Sequence, residues 1–426
     1  MENAKIITSF PKGMVTPPPS KSLAHRAVIC AALAACGPRC GESIISNIAL
    51  SEDIGATLGG IQALGARWEI IGGELRILPG NRAAAPVINC GESGSTLRFL
   101  LPLAAVLGEQ AVFRGRGRLM ERPLDVYERL FAEANISLVR EGNTVIMQGT
   151  LQSGVFSLPG DISSQFVSGL LLALPLLKGD SEILLTTALE SKPYVDMTIA
   201  VMRLFGVKVT WQEPFRIQVP GGQCYCPSKY EVEADYSQAA YFLAAAALGQ
   251  EVRCTGLNPN SMQGDRAMLD VLKDMGAQII WKDGAVEVKA KKLRCVNVDA
   301  REIPDLVPPI AALCCFCEGK SQIINAGRLR LKESDRLSAM ATELQKLGAN
   351  VEESPDSLCI EGAPTLAGGR VDSHNDHRIA MSLALAAIRC KNTVELCGAG
   401  SVRKSYPNFW EDFEREEKQN AGNMGE

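Results

Sequence analysis

Basic side chains are concentrated at or near the starts of helices that are otherwise apolar. Lys21, Arg26, Arg98 and Arg378 lie in the first turns of such helices. A surface Lys or Arg is usually a solvated charge, but a buried arginine is costly unless it meets an anion. Four further basic residues could join this group: Arg122, Lys332, Arg336 and Lys404. The set favours a ligand with several negative charges, such as phosphates and carboxylates.

Polar segments lead into all six apolar helices. Ser, Thr, Asp and Asn are ordinary N-cap residues, so each segment taken alone predicts capping. If the helices are parallel, however, their N-termini face one side, each with roughly half a unit of positive charge and free N–H donors. Such a face would bind anions. The segments are Ser20-Lys21-Ser22, Glu92-Ser93-Gly94-Ser95-Thr96, Asp161-Ile162-Ser163-Ser164-Gln165, Asp235-Tyr236-Ser237-Gln238, Ile303-Pro304-Asp305 and Asn375-Asp376-His377-Arg378.

Two acidic residues stand among these cations. Asp305 opens an apolar helix after Pro304, and Glu333 lies between Lys332 and Arg336. First-turn acids suit a helix N-terminus, but a carboxylate beside a bound hydroxyl could also move protons. The sequence contains no Walker loop and no G-x-G-x-x-G between a strand and a helix, so neither ATP nor a nicotinamide cofactor is supported. Three histidines and irregularly spaced cysteines disfavour a zinc site.

Residues that end helices recur in two series with steps of 70–72 residues. We expect each of them to adopt a positive φ, as Gly and Asn do just after a helix. Short strand-like runs fill the gaps, so each of six units is predicted to be β-α-β-α-β-β. The apolar helices end at Gly37, Gly108, Gly179, Gly249 and Gly319, and the amphipathic ones at Gly65, Asn135, Gly206, Gly276 and Gly348.

The chain of 426 residues is longer than the ~250–300 residues at which a single core stops growing. We expect two domains of three units each, residues 20–230 and residues 1–19 with 231–426. The sixth unit lacks a hairpin, which the N-terminal strand should replace.

A net charge of −4 excludes a general nucleic-acid binder. No apolar run reaches ~20 residues and no signal peptide is evident, so we expect no membrane association and a cytoplasmic location.

Seven motifs carry a resemblance to a known family. They are Pro19-Ser20-Lys21-Ser22-x-x-x-Arg26, Glu121-Arg122-Pro123, Ser163-Ser164-Gln165-Phe166, Ser191-Lys192-Pro193-Tyr194, Ile303-Pro304-Asp305, Lys332-Glu333-Ser334-Asp335-Arg336 and Asn375-Asp376-His377-Arg378. With them the sequence resembles the EPSP synthases, or 3-phosphoshikimate 1-carboxyvinyltransferases, over almost its whole length. The resemblance implies an α/β fold, a two-domain inside-out α/β barrel of six βαβαββ modules with a ligand cleft between the domains.

The resemblance also implies substrates and site residues. The reaction would transfer the enolpyruvyl group of phosphoenolpyruvate to shikimate 3-phosphate in chorismate and aromatic amino-acid biosynthesis, without metal or organic cofactor. We expect the protein to be a monomer. The proton-transfer candidates are Asp305, Glu333 and Lys21. The implied shikimate 3-phosphate site is Lys21, Ser22, Arg26, Ser163, Ser164, Gln165, Ser191, Tyr194, Asp305 and Lys332. The implied phosphoenolpyruvate site is Lys21, Gly94, Arg98, Arg122, Gln165, Arg336, Arg378 and Lys404.

Three positions differ from the family's common pattern. Glu92 stands where many relatives have Asn, Arg328 where some have a substrate-contacting Asn, and His25 replaces an Asn beside the site arginine. At Gly94, where glyphosate would also bind, the sequence allows two interpretations, and we expect the first. The missing side chain could let a ligand approach closely, or the loop could need a positive φ.

Two other functions stay open on the sequence. The nearer is a UDP-N-acetylglucosamine enolpyruvyl transferase, a family that typically carries a reactive Cys in a loop ending Arg-Pro; the corresponding loop Gly115–Pro123 has none. The remoter is a non-enzymatic repeat scaffold whose helix ends bind an anionic partner. A scaffold would not need Asp305 and Glu333 among its cations.

Overall fold

The computed structural model describes residues 4–108, 110–212 and 214–414. Helices and short strands alternate along this part of the chain. The helices are α1 Lys21–Cys36, α2 Glu52–Ala63, α3 Gly94–Leu107, α4 Asp125–Glu133, α5 Ser164–Ala173, α6 Lys192–Leu204, α7 Tyr236–Ala247, α8 Met268–Asp274, α9 Val307–Cys314, α10 Arg336–Lys346, α11 His377–Ala387 and α12 Phe409–Phe413. Among the described residues no helix is long and apolar enough to cross a membrane.

The strands are short and evenly distributed. They are β1 Lys5–Ile7, β2 Gly13–Val15, β3 Ser43–Ser46, β4 Ala66–Ile71, β5 Glu74–Pro79, β6 Val87–Gly91, β7 Gln110–Gly115, β8 Ser137–Glu141, β9 Thr144–Gln148, β10 Val155–Leu158, β11 Ser181–Leu185 and β12 Thr210–Gln212. The remainder are β13 Arg216–Val219, β14 Lys229–Glu231, β15 Val252–Thr255, β16 Gln278–Lys282, β17 Ala285–Lys289, β18 Asn297–Asp299, β19 Lys320–Ile324, β20 Asn350–Glu353, β21 Leu358–Glu361, β22 Gly369–Asp372 and β23 Val394–Cys397.

Five four-stranded sheets repeat one pattern, and the sixth sheet, β1-β23-β22, has three strands. In the second unit, β6 and β7 flank the apolar helix α3 and pair in parallel, and the hairpin β8–β9 adds to β7 antiparallel. The sheets β10-β11-β13-β12 and β18-β19-β21-β20 have the same order. This confirms the predicted mixed α/β fold of repeated βαβαββ units. Within the described ranges the strands form six separate small sheets and no continuous barrel wall.

The apolar helices are buried, and two hydrophobic cores surround them. One core holds buried residues from Leu23 to Val232, and the other holds Ile7, Val15 and buried residues from Ala234 to Phe413. We call residues 20–232 the first half, and residues 4–19 with 233–414 the second half. The division into domains 20–230 and 1–19 with 231–426 stays a prediction, and residues 1–3 and 415–426 lie outside the described residues.

Segments distant in sequence complete three of the sheets. The strand β14, near residue 230, pairs in parallel with β3 of the first unit, and β2 pairs with β15 of the fourth. The N-terminal strand β1 pairs antiparallel with β23, in the sixth unit that lacks a hairpin. The two connections between the halves run side by side, since the Ser20 amide donates to the Glu233 carbonyl at 2.8 Å and the Asp235 amide to the Pro18 carbonyl at 2.9 Å.

The predicted positive φ after each helix is only partly correct. It is confirmed for the ends of the amphipathic helices, with φ from +56° to +110°, and for Gly249 and Gly319. It is wrong for Gly37, Gly108 and Gly179, which do not have a positive φ. Gly108 has extended backbone, with φ of −168°, and the guanidinium of Arg82 occupies the place of its missing side chain.

Candidate active site

The N-termini of all six apolar helices line one cavity between the two halves. The helices α1, α3 and α5 reach it from the first half, and α7, α9 with its preceding turn, and α11 reach it from the second. The structure thus brings the six polar lead-in segments together, as a parallel arrangement predicts. The sequence-predicted residues in the wall are Lys21, Ser22, Arg26, Gly94, Arg98, Arg122, Ser163, Ser164, Gln165, Ser191, Tyr194, Asp305, Lys332, Glu333, Arg336 and Arg378.

Several lead-in residues also cap their own helices. The side chains of Ser93, Ser163, Asp235 and Asp376 each accept a hydrogen bond from an amide in the first turn. Asp235 does more than this, because its Oδ2 accepts from the Lys21 amide of the other half at 3.1 Å. Capping and convergence on one cavity are therefore both features of these segments.

Two buried arginines of the first half contact only neutral groups. Arg26 donates to Thr198 Oγ1 at 2.7 Å and to the Tyr194 carbonyl at 2.9 Å, and Arg98 donates to Gln165 Oε1 and to the Pro123 carbonyl, both at 2.8 Å. Within the described part of the chain neither forms an ion pair. Burial lowers the pKa of Arg26 to about 10 and that of Arg98 to about 9. These guanidinium groups would be stabilised by an anion in the cavity.

Asp305 lies at the centre of the second half's cations. Its carboxylate accepts from Arg336 at 3.0 Å and from Arg378 at 2.9 Å, and Lys332 Nζ is 3.7 Å away. Burial acts to raise the pKa of Asp305, but Arg378, Lys332 and Arg336 outweigh it and hold the pKa well below its ordinary value. Asp305 is therefore ionised near neutral pH and can accept a proton.

Glu333 is the second carboxylate of the wall. Its Oε2 accepts from Arg336 at 2.7 Å, and its Oε1 lies 3.8 Å from Arg122 of the other half. Burial raises its pKa, yet the nearby arginines, led by Arg336, keep the pKa well below the usual value. Glu333 thus carries no proton near neutral pH. Lys332 differs, because burial lowers its pKa to about 8 in spite of Asp305.

Lys21 has a partner that the sequence did not single out. Its Nζ donates to Asp53 Oδ2 at 2.6 Å, and both side chains line the cavity. Asp53 lies in the first turn of α2 after the N-cap Ser51, so its sequence position resembles that of an ordinary first-turn acid. Only the approach of α2 to α1 in three dimensions brings it to Lys21.

Lys404 alone among the predicted residues lies outside the cavity wall. Its Nζ donates to Glu92 Oε2 at 2.5 Å and to the Asn375 carbonyl at 2.6 Å. Glu92 belongs to the first half and Lys404 to the second, so this ion pair joins the halves beside the cavity. A role for Lys404 in binding a ligand would require the Glu92 carboxylate to move.

A second link between the halves passes through Ser191. Its amide donates to the Arg301 carbonyl at 3.0 Å, and its hydroxyl accepts from Arg328 at 3.2 Å. Arg328 also forms an ion pair with Glu190. Ser191 has φ of +59°, in the left-handed region that costs energy for a residue with a side chain. The contacts across the halves hold it in this conformation.

Gln238 and His377 also lie in the wall, and both belong to polar segments for which the sequence predicts only capping. Gln238 and His377 are buried, and neither side-chain amide atom of Gln238 nor either ring nitrogen of His377 has a hydrogen-bond partner within the described residues. Burial lowers the pKa of His377 to about 3, so its imidazole is neutral. In the described ranges no group of three or more His, Cys, Asp or Glu side chains could hold a metal ion.

Comparison with known proteins decides the family. The model of the family EPSP synthase (3-phosphoshikimate 1-carboxyvinyltransferase) matches residues 8–413. The chain belongs to the EPSP synthase family. The chain is similar to the 3-phosphoshikimate 1-carboxyvinyltransferase of Clostridium perfringens, with 45% identity over 97% of this chain and 98% of that one. It is also similar to that of Clostridium kluyveri, with 47% identity over 94% of both chains.

Solved structures agree with this family. An EPSP synthase from Acinetobacter baumannii superimposes with a TM-score of 0.77 and 26% identity, over 97% of each chain. A second structure of EPSP synthase from the same organism gives a TM-score of 0.76. The EPSP synthase fold therefore extends over both halves and includes the cavity between them.

Proposed function

We propose that this chain transfers the carboxyvinyl group of phosphoenolpyruvate to the 5-hydroxyl of shikimate 3-phosphate, giving 5-enolpyruvylshikimate 3-phosphate and phosphate. Its membership of the EPSP synthase family supports the reaction. One observation carries the chemistry: the ionised Asp305 carboxylate lies in direct contact with Arg336 and Arg378, in a cavity that six helix N-termini line. Two anionic substrates would be held there beside a proton acceptor.

We place shikimate 3-phosphate mainly against the first half. Arg26 and the start of α5, with Ser163, Ser164 and Gln165, offer a guanidinium, hydroxyls and N–H donors for its phosphate. Ser22, Ser191, Tyr194 and Lys332 complete the proposed site. Burial of Arg26 without a carboxylate partner supports this placement.

We place phosphoenolpyruvate between the halves. Arg336 and Arg378 suit its carboxylate, since a guanidinium binds a carboxylate with two parallel hydrogen bonds. Lys21, Arg98 and Arg122 suit its phosphate, with Gly94 and Gln165 beside them, and Lys404 could join if Glu92 moved. The proposed ligands come from both halves, so phosphoenolpyruvate would bridge them.

Asp305 is the proposed base for the 5-hydroxyl. Arg336 and Arg378 hold its pKa low in this structure, and the same two side chains are the proposed ligands of the phosphoenolpyruvate carboxylate. When the carboxylate binds, its charge offsets theirs, and the proton affinity of Asp305 rises. Substrate binding would thus make Asp305 a stronger base when the hydroxyl arrives.

The proton added to C3 of phosphoenolpyruvate needs a donor. Glu333 is ionised because its pKa lies below the ordinary value, so it carries no proton to give. We therefore favour Lys21, whose ammonium is oriented by Asp53 at 2.6 Å. The hydroxyl oxygen bonds to C2 as C3 gains the proton, and the tetrahedral adduct then loses phosphate and one C3 proton. Glu333 is the proposed acceptor of that proton, and the surrounding arginines stabilise the leaving phosphate.

The alternatives predict different acceptors. The wall of the cavity includes no cysteine among the described residues, unlike the UDP-N-acetylglucosamine enolpyruvyl transferases, and the family match favours neither that enzyme nor a scaffold. The test is release of phosphate from phosphoenolpyruvate with shikimate 3-phosphate or UDP-N-acetylglucosamine as acceptor. Release with only the former is expected; release with only the latter, or with neither, would refute the proposal. We also propose that the protein is a monomer and that it is cytoplasmic. Light scattering after gel filtration tests the monomeric state.

A further inference from the structure

Asp265 lies behind the cavity wall and contacts it through Tyr194. Asp265 is in a 3₁₀ turn, Gly264–Ala267, of the second half, and Tyr194 is in the first turn of α6 of the first half. The Tyr194 hydroxyl donates to Asp265 Oδ2 at 2.9 Å. The hydroxyl oxygen of Tyr194 also lies 3.5 Å from Asp305 Oδ2. Tyr194 therefore bridges two carboxylates of the other half.

The hydroxyl of Tyr194 has one proton, and the shorter contact assigns it to Asp265. Its oxygen then faces Asp305 with lone pairs, which makes a long and weak contact while Asp305 is ionised. Once Asp305 has gained a proton, it can donate to this oxygen. The three groups then form a hydrogen-bonded chain with one direction, Asp305 to Tyr194 to Asp265.

We propose that Asp265 is a positioning residue that orients the Tyr194 hydroxyl toward Asp305 and receives a proton through it. This inference rests on the proposed function, in which Asp305 takes the proton of the 5-hydroxyl. In the step, the O–H bond of Asp305 breaks as one forms on the Tyr194 oxygen, and the original Tyr194 O–H bond breaks as one forms on Asp265 Oδ2. One proton moves from Asp305 to Asp265, and no electrons are exchanged.

The environment of Asp265 favours the transfer. Asp265 is 6% exposed and its Oδ1 has no hydrogen-bond partner among the described residues, so an ionised form is poorly stabilised. Burial, and then the charge of Asp305, raise the pKa of Asp265 to about 7, with Asp235 adding to the rise and Arg378 and Tyr194 opposing it. The pKa of Asp305 is held far lower by its cations. In this structure a proton is more stable on Asp265 than on Asp305, and its transfer returns Asp305 to the ionised form. With a pKa of about 7, Asp265 can then release the proton to solvent near neutral pH before the next turnover.

The decisive variant is Asp265→Asn. Its amide oxygen can still accept from Tyr194, so the fold and the contact are retained, but the group cannot take a proton. We expect kcat to fall by roughly tenfold, less than the ~10²–10⁴ of a group that acts directly on substrate, with the KM for shikimate 3-phosphate and the thermal midpoint unchanged. In the parent, kcat should fall as the pH decreases through about 7, because protonated Asp265 cannot accept a second proton. The variant should lack this acidic limb of the pH profile of kcat.

A second variant separates a relay from a loss of packing. Tyr194→Phe removes the bridging hydroxyl, and Asp265→Asn added to it should lower kcat no further, because both changes break one chain. Tyr225→Phe is the matched control, since Tyr225 is buried away from the cavity wall and its hydroxyl donates to the Leu172 carbonyl at 2.9 Å; it should keep the parent's kcat and acidic limb.

The outcomes are distinguishable. If the parent releases no phosphate from phosphoenolpyruvate with shikimate 3-phosphate, the proposed function fails and this inference with it. If the parent is active and Asp265→Asn keeps full kcat or the acidic limb, the relay alone is overturned. A change in KM or thermal midpoint with kcat intact would show that Asp265 is only structural. Additive losses in the double variant would also overturn the relay.

Discussion

Gly94→Ala should push one cationic side chain out of the cavity wall. Gly94 begins α3 and does not have a positive φ, so the interpretation as a conformationally required glycine is wrong. A Cβ at this position would lie 2.9 Å from Nη1, 3.0 Å from Cζ and 3.1 Å from Nη2 of Arg122. An ordinary contact needs about 3.4 Å, so the guanidinium must retreat by roughly 0.5 Å. Arg122 is a proposed ligand of phosphoenolpyruvate.

The displacement of the Arg122 guanidinium determines how much kcat/KM for phosphoenolpyruvate falls. A displacement of ~1 Å at a reacting site can cost as much as ~10²-fold, so half of it corresponds to about tenfold in kcat/KM for phosphoenolpyruvate. Glyphosate is longer and should lose several times more affinity than the substrate. Stability should hold, because the group that moves is the end of a flexible side chain and Ala is the better helix former.

The assay compares three quantities in the variant and the parent: the KM for phosphoenolpyruvate, the inhibition constant of glyphosate and the thermal midpoint. Gly59→Ala in α2 is the matched control, since a Cβ there has no neighbour within 4 Å; both ligands should bind it as they bind the parent. Equal weakening of the two ligands by Gly94→Ala, or a large fall in its thermal midpoint, would refute the reasoning.

Three further predictions follow from the cavity and its links. Asp305→Ala should lower kcat by about 10²–10⁴ while shikimate 3-phosphate still binds, measured by turnover and calorimetry; near-normal turnover would exclude Asp305 as the base. Glu92→Gln should release Lys404 and lower the KM for phosphoenolpyruvate by about two- to fivefold, the effect of up to ~1 kcal/mol, and a raised KM would contradict this. Because both halves wall the cavity, shikimate 3-phosphate with a phosphoenolpyruvate analogue should reduce the radius of gyration in small-angle scattering, and an unchanged value would count against closure.

The repeated fold could be predicted because each unit carries its own local signals. Asp283 and Gly284 have φ of +51° and +72°, the conformation that a tight hairpin turn requires, and they join β16 to β17 as their types indicate. Pairings between distant segments leave no such local trace. Nothing in Lys229–Glu231 shows that it belongs beside β3 rather than in the unit that follows it in sequence.

The same contrast holds in the cavity. Arg26 and Arg98 could be found because a cation in the first turns of an apolar helix conflicts with its surroundings. Asp53 and Asp265 could not, since each resembles an ordinary surface acid until the fold brings Lys21 or Tyr194 to it. Lys404 lies outside the cavity wall because it forms an ion pair with Glu92. These residues are 312 positions apart, and nothing in the sequence near either of them indicates the pair.

The strands β1, β2 and β14 pair with strands that are distant in sequence. These pairings determine the order in which the sheets can form during synthesis on a ribosome. The first half is contiguous and can fold once residues near 232 have left the exit tunnel, because β14 is then available to β3. The strands β1 and β2 emerge before the first half, yet β2 must wait for β15 and β1 must wait for β23, close to residue 397. The strand β2 thus stays unpaired until about residue 255 has emerged, and β1 stays unpaired until nearly all of the second half has been made. A fragment that starts at residue 231 would lack both strands and leave the fourth and sixth sheets unfinished.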